Sequence, residues 1–169
     1  NKDAVQEPNA FLQRHLLKAN YALFKQLQTE NRLQEVGFKD LGAGGIACAS
    51  VELAEAGGYG AEIDLDSVPT SMQNLLPAVT LCSETQERFM WVVPSSLAPT
   101  ILKHYNETFA LPHVSSGAKA AIVGKLRQDD LYVVKHQGKE LVRAKACDIT
   151  QGIMYDRPYT HRTHTQLEP

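Results

Sequence analysis

Val36-Gly37-Phe38-Lys39-Asp40-Leu41-Gly42-Ala43-Gly44-Gly45-Ile46 is the stretch on which the fold turns. Val36 to Lys39 reads as a short strand that ends at Asp40. A glycine-rich turn comes next, and helical spacing begins at Ile46. Glycine lets the backbone turn tightly and come close to a ligand. The start of the next helix offers unpaired N–H groups and a partial positive charge, a combination that suits phosphate. Asp40 beside it suits Mg2+, which takes one or two carboxylates together with phosphate oxygens and water. The spacing is neither a Walker motif nor GxGxxG. A plainer reading stands beside the ligand one: a tight strand-to-helix turn with Asp40 as the helix cap.

Upstream, Phe11, Leu12, Leu16, Ala19, Leu23 and Leu27 recur at three- and four-residue spacing and predict a long helix over 9–35. Downstream, Ile46, Ala49, Leu53 and Ala54 predict a helix to about Ala56, ended by Gly57-Gly58. Ala61, Ile63 and Leu65 alternate with Glu62, Asp64 and Asp66, the pattern of a strand with one apolar and one acidic face. Residues 71–87 are loop-rich, with a short helix expected near Met72–Leu76. Arg88 to Val93 is a continuous apolar strand, expected to be central. A helix is predicted from Pro94 to about Phe109 and a strand over Ala118–Val123. Leu131–His136 and Leu141–Ala146 read as strands joined at Gln137-Gly138-Lys139. The whole predicts an α+β fold, a mixed β-sheet packed with helices, in one domain over 1–150. Residues 151–169 lack periodicity and read as a tail or linker.

The 169 residues carry 17 Lys plus Arg against 19 Asp plus Glu, a formal net charge of -2, which argues against nucleic acid or an anionic membrane as partner. No apolar run approaches the roughly 20 residues of a membrane span. The opening NKDAVQEPNA has no basic-then-apolar signal region, and its first residue is not Met, so a fragment of a longer chain is expected. Cys48, Cys82 and Cys147 are odd in number and far apart, without CxxC spacing. They read as reduced, buried thiols of a cytoplasmic protein rather than zinc ligands.

A second constellation is Ser83-Glu84-Thr85-Gln86-Glu87-Arg88, polar groups set immediately before the apolar strand. A strand mouth of this kind can offer Glu84 and Gln86 to a polar ligand. Its plainer reading is a solvated loop with a Glu87–Arg88 pair of little energetic value. Gln6, ahead of the long helix, is a third and weaker candidate. The six histidines have no carboxylate or Cys at motif spacing, and no Ser or Cys has an identifiable base. The chain reads as half of a site.

Taken in order, Asp40-Leu41-Gly42-Ala43-Gly44-Gly45, Ser50-Val51-Glu52-Leu53-Ala54, Gly57-Gly58-Tyr59-Gly60-Ala61, Leu65-Asp66-Ser67-Val68-Pro69 and Ser83-Glu84-Thr85-Gln86-Glu87-Arg88-Phe89-Met90 resemble the phosphoribosylformylglycinamidine synthase family, small type. The family wording is DLGAGG, SxEMA, GGxG, LDxVP and SESQERM. The resemblance runs from about residue 4 to about residue 160 and includes Cys147-Asp148-Ile149 and Tyr155 to Tyr159.

This resemblance implies an ATP-dependent, amidine-forming ligase of purine biosynthesis. Such an enzyme uses ATP to activate the formamide oxygen of formylglycinamide ribonucleotide, and ammonia then displaces phosphate. It implies the first C-terminal domain of the synthetase, with the fold of the aminoimidazole ribonucleotide synthetase C-terminal domain. The implied partners are an N-terminal domain of the same chain, a glutaminase subunit and a small accessory subunit. The cofactors are Mg2+ and ATP, the ATP held mainly by the N-terminal domain, which also carries the catalytic histidine. By position, Asp40 matches a metal ligand, Gly42, Gly44 and Gly45 a phosphate-side turn, and Glu84, Thr85 and Gln86 the substrate-binding Glu-Ser-Gln. Gln6 matches a substrate-contacting Gln. Here the run around it is Val5-Gln6-Glu7-Pro8-Asn9-Ala10-Phe11, without the family's Gly-Asp pair, and Thr85 replaces Ser. No catalytic residue is expected in this stretch, and the isolated chain is expected to be inactive. An apolar face, covered by the N-terminal domain in the parent, is also expected. The other readings are a related ATP-dependent enzyme, such as aminoimidazole ribonucleotide or selenophosphate synthetase, and a non-catalytic structural domain.

Overall fold

A computed structural model describes residues 9–152 and 155–160. Gln6 therefore lies outside the described residues. The elements in order are α1 (Ala10–Thr29), β1 (Gly37–Asp40), α2 (Gly45–Ala56), β2 (Gly60–Asp64), α3 (Pro77–Cys82), β3 (Phe89–Val92), α4 (Ala98–Lys103), α5 (Leu111–Val114), β4 (Gly124–Arg127), β5 (Leu131–His136), β6 (Lys139–Lys145) and α6 (Ala146–Gln151). The α+β class stands. The strands, however, form two sheets rather than one: a two-stranded antiparallel ribbon, β1-β3, and a four-stranded mixed sheet, β4-β2-β5-β6.

Two apolar cores result from that division. The first packs α2, α3 and α6 on one face of the mixed sheet, around Ile46, Val51, Ile63, Leu81, Tyr132 and Val134. The second packs α1, α4 and α5 around Leu16, Leu23, Leu27, Leu97, Ile101 and Tyr105. β3 belongs to both. Met90 packs against the first core, and Phe89 and Trp91 pack against the second. The strand is apolar throughout because each of its faces meets a different core, not because it lies inside a wide sheet. All four of its residues are only half-buried.

α1 is capped by Asn9, whose side-chain oxygen accepts the Leu12 N–H at 3.0 Å. It buries Leu16, Ala19, Asn20, Leu23 and Leu27, whereas Phe11 is 71% exposed against expectation. The helix ends at Thr29 rather than 35, because Asn31 takes the left-handed conformation at φ 55 and Arg32 N–H closes back on Leu27 O. Buried polar groups of α1 are satisfied across the second core. Tyr105 Oη donates to Asn20 Oδ1 at 2.7 Å and accepts Trp91 Nε1–H at 2.9 Å.

The remaining departures have local causes. The acidic strand stops at Asp64, whose side chain accepts the Asp66 N–H at 3.1 Å and turns the chain into a 3-10 segment, Leu65–Ser67. The helix expected near Met72–Leu76 begins instead at Pro77, a residue suited to a helix's first position. Residues 118–123 form no strand. The Asn106 side-chain amide takes both backbone groups of Ala120, at 2.8 and 2.9 Å, and pairing starts only at Gly124. The β5–β6 hairpin turns on Gln137 and Gly138, both at positive φ, as a two-residue turn matched to the strand twist requires. On the acidic face of β2, Glu62 meets Lys125 at 3.4 Å, Arg127 at 3.2 Å and Lys135 at 3.0 Å. These contacts, the hydrogen bond from Lys135 first, hold its carboxyl below the usual glutamate range.

Gly45 sets how α2 seats on α3. It stands at φ +57, and a Cβ there would lie 2.4 Å from Ser83 O and 3.1 Å from Leu81 O, both backbone atoms. Gly58 stands at φ +76 with nothing within 4 Å of a Cβ. Gly45→Ala is expected to destabilise the protein by more than about 3 kcal/mol, strain and backbone clash together, and Gly58→Ala by about 1 kcal/mol from strain alone. Denaturant midpoints of the two variants check this; equal losses would refute the packing role.

Candidate functional site

β1 pairs antiparallel with β3, in the register Gly37 with Val92, Phe38 with Trp91, Lys39 with Met90 and Asp40 with Phe89. An antiparallel pair places the end of one strand beside the start of the other. The glycine turn that leaves β1 and the Ser83–Arg88 loop that enters β3 therefore share one rim. One rung further out, Leu41 N–H donates to Arg88 O at 3.0 Å.

The turn and loop are also joined directly. Gly44 N–H donates to Glu84 Oε1 at 3.2 Å. Gly44 is the N-cap of α2, and its backbone stands at φ 74. A carboxylate thus sits at the positive end of a 12-residue helix, where an anion is stabilised. Asp40 makes no capping bond to that helix, so the plainer reading of Asp40 as its cap does not hold. Gly45 N–H is bonded to Gly42 O at 3.1 Å. Two of the three glycines therefore have their N–H groups engaged within the protein. Gly42 is exposed, and a Cβ there would meet only Asp40 Oδ2, at 3.8 Å.

Asp40, Glu84 and Gln86 are exposed on this rim, and Thr85 is half-buried, its hydroxyl 3.3 Å from that of Ser83. Arg88 does not pair with Glu87. Its guanidinium instead donates to Thr85 O at 3.2 Å and to Ser83 O. Burial pulls its pKa below the ordinary arginine value. These two bonds shape the loop that presents Glu84 and Gln86. Glu87 turns back at φ 56 and accepts Asn9 N–H at 3.2 Å. Both stand in the second constellation, where the sequence offers them only as a solvated pair of little energetic value and not as the groups that shape the loop. The signal available was a charged pair adjoining an apolar strand, since charges at such a position need buried partners.

The loop borders a cleft of about 740 Å3 that opens between the two cores, with Leu16, Ile63, Gln86, Trp91, Ser115 and Ile122 among its lining residues. Ser50, another lining residue, has its Oγ 2.8 Å from Tyr132 Oη, and burial pushes the Tyr132 phenol up to about 12. Among the described residues no group of three or more His, Cys, Asp or Glu side chains is arranged to hold a metal. The rim offers the Asp40 carboxylate beside an open glycine. That fits a Mg2+ ion whose other positions are phosphate oxygens and water, and it does not fit a metal held by protein alone.

A family model described as AIR synthase related protein, C-terminal domain, matches residues 1–137. The chain belongs to this family. Its relatives include a phosphoribosylformylglycinamidine synthase subunit PurL of Methanothrix thermoacetophila, 44% identical over 170 residues, covering all of this chain and 22% of that protein. The PurL subunit of Corynebacterium glutamicum strain R is 35% identical over 156 residues, covering 92% of this chain and 19% of that protein. The chain thus spans about a fifth of the length of these relatives. Among solved structures, Thermotoga maritima PurL complexed with ATP superposes with a TM-score of 0.69 at 24% identity, over 92% of this chain and 25% of that one. The same protein complexed with FGAR gives 0.66 at 25% identity, over 95% and 25%. The PurLQS assembly of that organism gives 0.68 at 25% identity, over 96% and 26%. The expected α+β fold of the synthetase C-terminal domain is the fold observed. Among the described residues no helix is long and apolar enough to cross a membrane.

Within the loop, Glu84 bonds to the start of α2 whereas Gln86 is exposed. Glu84→Ala removes the carboxylate from the start of α2 and is expected to cost about 0.5–1 kcal/mol of stability. Gln86→Ala, at an exposed position, is expected to cost less than about 0.5 kcal/mol. Thermal or denaturant unfolding of the two variants tests this, and a larger loss for Gln86→Ala would contradict the assignment.

Proposed function

We propose that this chain is the first C-terminal domain of a phosphoribosylformylglycinamidine synthase and supplies substrate and Mg2+ contacts to that enzyme. The reaction is the ATP-dependent conversion of formylglycinamide ribonucleotide to the amidine in purine biosynthesis, in the cytoplasm. The observation that supports this reading most is the meeting of Asp40 and the Glu84-Thr85-Gln86 loop on one rim through the β1–β3 pairing. The relatives' names and the FGAR complex of a structural neighbour point the same way.

In this reading Glu84 Oε1 is held by the helix start, which leaves its second oxygen, the Thr85 hydroxyl and the Gln86 amide for the substrate's hydroxyl, amide and phosphate groups. Gly42 keeps the rim open beside Asp40. Asp40 would hold Mg2+ with one carboxylate, and the ion, when bound, neutralises charge on phosphate oxygens. ATP is left mainly to an N-terminal domain of the parent chain, together with the catalytic histidine. We take residues 1–150 as the domain and 151–169 as a tail or linker, with α6 running one residue past that boundary. The exposure of Phe11, Met72, Leu76 and Ile122, at 71, 65, 69 and 60%, supports a covered apolar face in the parent, as does the domain's small share of its relatives' length. The glutaminase and small accessory subunits are the partners of the whole enzyme, a reading supported by the PurLQS structural neighbour.

The test is an assay of the full-length protein with formylglycinamide ribonucleotide, ATP, Mg2+ and ammonia. Asp40→Asn is expected to weaken the Mg2+ dependence of turnover by about 10–100-fold with the fold intact. Gln86→Ala is expected chiefly to raise the substrate KM, with kcat nearly unchanged, because it removes ground-state binding. The 169-residue chain alone is expected to form no product. If both variants kept wild-type kinetics, the domain would be the non-catalytic structural one.

A further inference from the structure

We infer that Glu87 is a positioning residue of this site: it ties the start of α1 to the substrate loop and thereby fixes how Gln86 is presented. The inference rests on the substrate-loop reading above and deepens it. Three observations meet in this residue. Its backbone is left-handed at φ 56, a conformation disfavoured for a residue with a Cβ. Its Oε1 accepts the N–H of Asn9, 78 positions away, at 3.2 Å. Its Oε2 is buried and, among the described residues, has no hydrogen-bond partner.

A strained backbone and an unpartnered buried oxygen are both local costs. What Glu87 makes in return is one long-range bond. That bond reaches the residue whose own side chain caps α1 through Leu12 N–H. The left-handed turn at Glu87 separates two side chains with opposite fates. Gln86, before it, is exposed on the rim, and Arg88, after it, is turned inward onto the carbonyls of Ser83 and Thr85. Arg88 thus holds the loop from within its own sequence, and Glu87 holds it from another element. With the Glu87 tie cut, the Arg88 bonds and the β1–β3 ladder remain, so the fold persists while the rim loosens at Gln86.

The test uses the full-length synthetase. Glu87→Gly removes the tie and accommodates the left-handed backbone without strain, while adding backbone freedom. Glu87→Ala removes the tie and keeps the strain. Glu87→Gln keeps an oxygen for the Asn9 N–H. The Gly and Ala variants are expected to raise the KM for formylglycinamide ribonucleotide about tenfold, with kcat and the KM for ATP within about twofold of wild type. The Gln variant is expected to stay within about threefold of wild type for all three constants. A Gly variant with an unchanged substrate KM overturns the inference, as does a Gln variant as impaired as Ala. A Gly variant that no longer folds also overturns it, since Glu87 is then structural. Gln86→Ala, run alongside, separates the two levels. If it leaves substrate KM unchanged, the substrate-loop reading itself fails. If it raises KM and Glu87→Gly does not, only the positioning role fails.

Discussion

Four antiparallel rungs between Gly37–Asp40 and Phe89–Val92 hold this molecule's two halves in relation to each other. The pairing is short and joins segments about fifty residues apart, so forming it closes a long loop, at an entropic cost that only further contacts can offset. Those contacts come from aromatic packing on one face of the ribbon. Phe38 lies 4.5 Å from Trp91, 5.3 Å from Phe89 and 5.0 Å from Phe24 of α1, ring centre to ring centre. On the other side, Met90 and the residue just after β1, Leu41, reach the core of the mixed sheet. The rim with Asp40 and Glu84 exists because this ribbon ends where it does.

The helix start beside that rim is not an empty anion site. Glu84 already meets the Gly44 N–H, and Gly45 has turned its own N–H inward to Gly42. The Gly-rich wording thus serves two ends in one turn. Gly44 and Gly45 provide positive-φ geometry and a close approach to the end of α3, while Gly42 alone leaves space at the surface. The helix dipole stabilises a loop carboxylate, and that carboxylate fixes one end of the 84–86 loop.

Periodicity made α1, α2 and the β5–β6 hairpin legible, since each is decided by contacts within a few residues of sequence. The adjacency of Asp40 and the 84–86 loop was legible too, because a strand's end and another's start meet wherever the two strands pair antiparallel. The division into two sheets was not. An apolar run such as Phe89–Val92 reads the same whether its faces meet two layers of one sheet or two separate cores. The missing strand at 118–123 depended on the Asn106 amide, a side-chain competitor for backbone groups that no local pattern announces. The tie from Glu87 to Asn9 spans 78 positions and involves a backbone donor, so nothing in either residue's neighbourhood marks it. Gln6 remains a reading from sequence alone.

The ribbon's double allegiance also governs how the molecule comes apart. Two cores joined by a flexible linker would melt independently, each with its own midpoint. Here Met90 is packed against one core and its neighbours Phe89 and Trp91 against the other, so neither core can open without exposing apolar surface of a strand the other needs. Loss of either withdraws support from the same short ladder. This shared packing is expected to couple the two halves into one cooperative unit, with the rim ordered as long as that unit is.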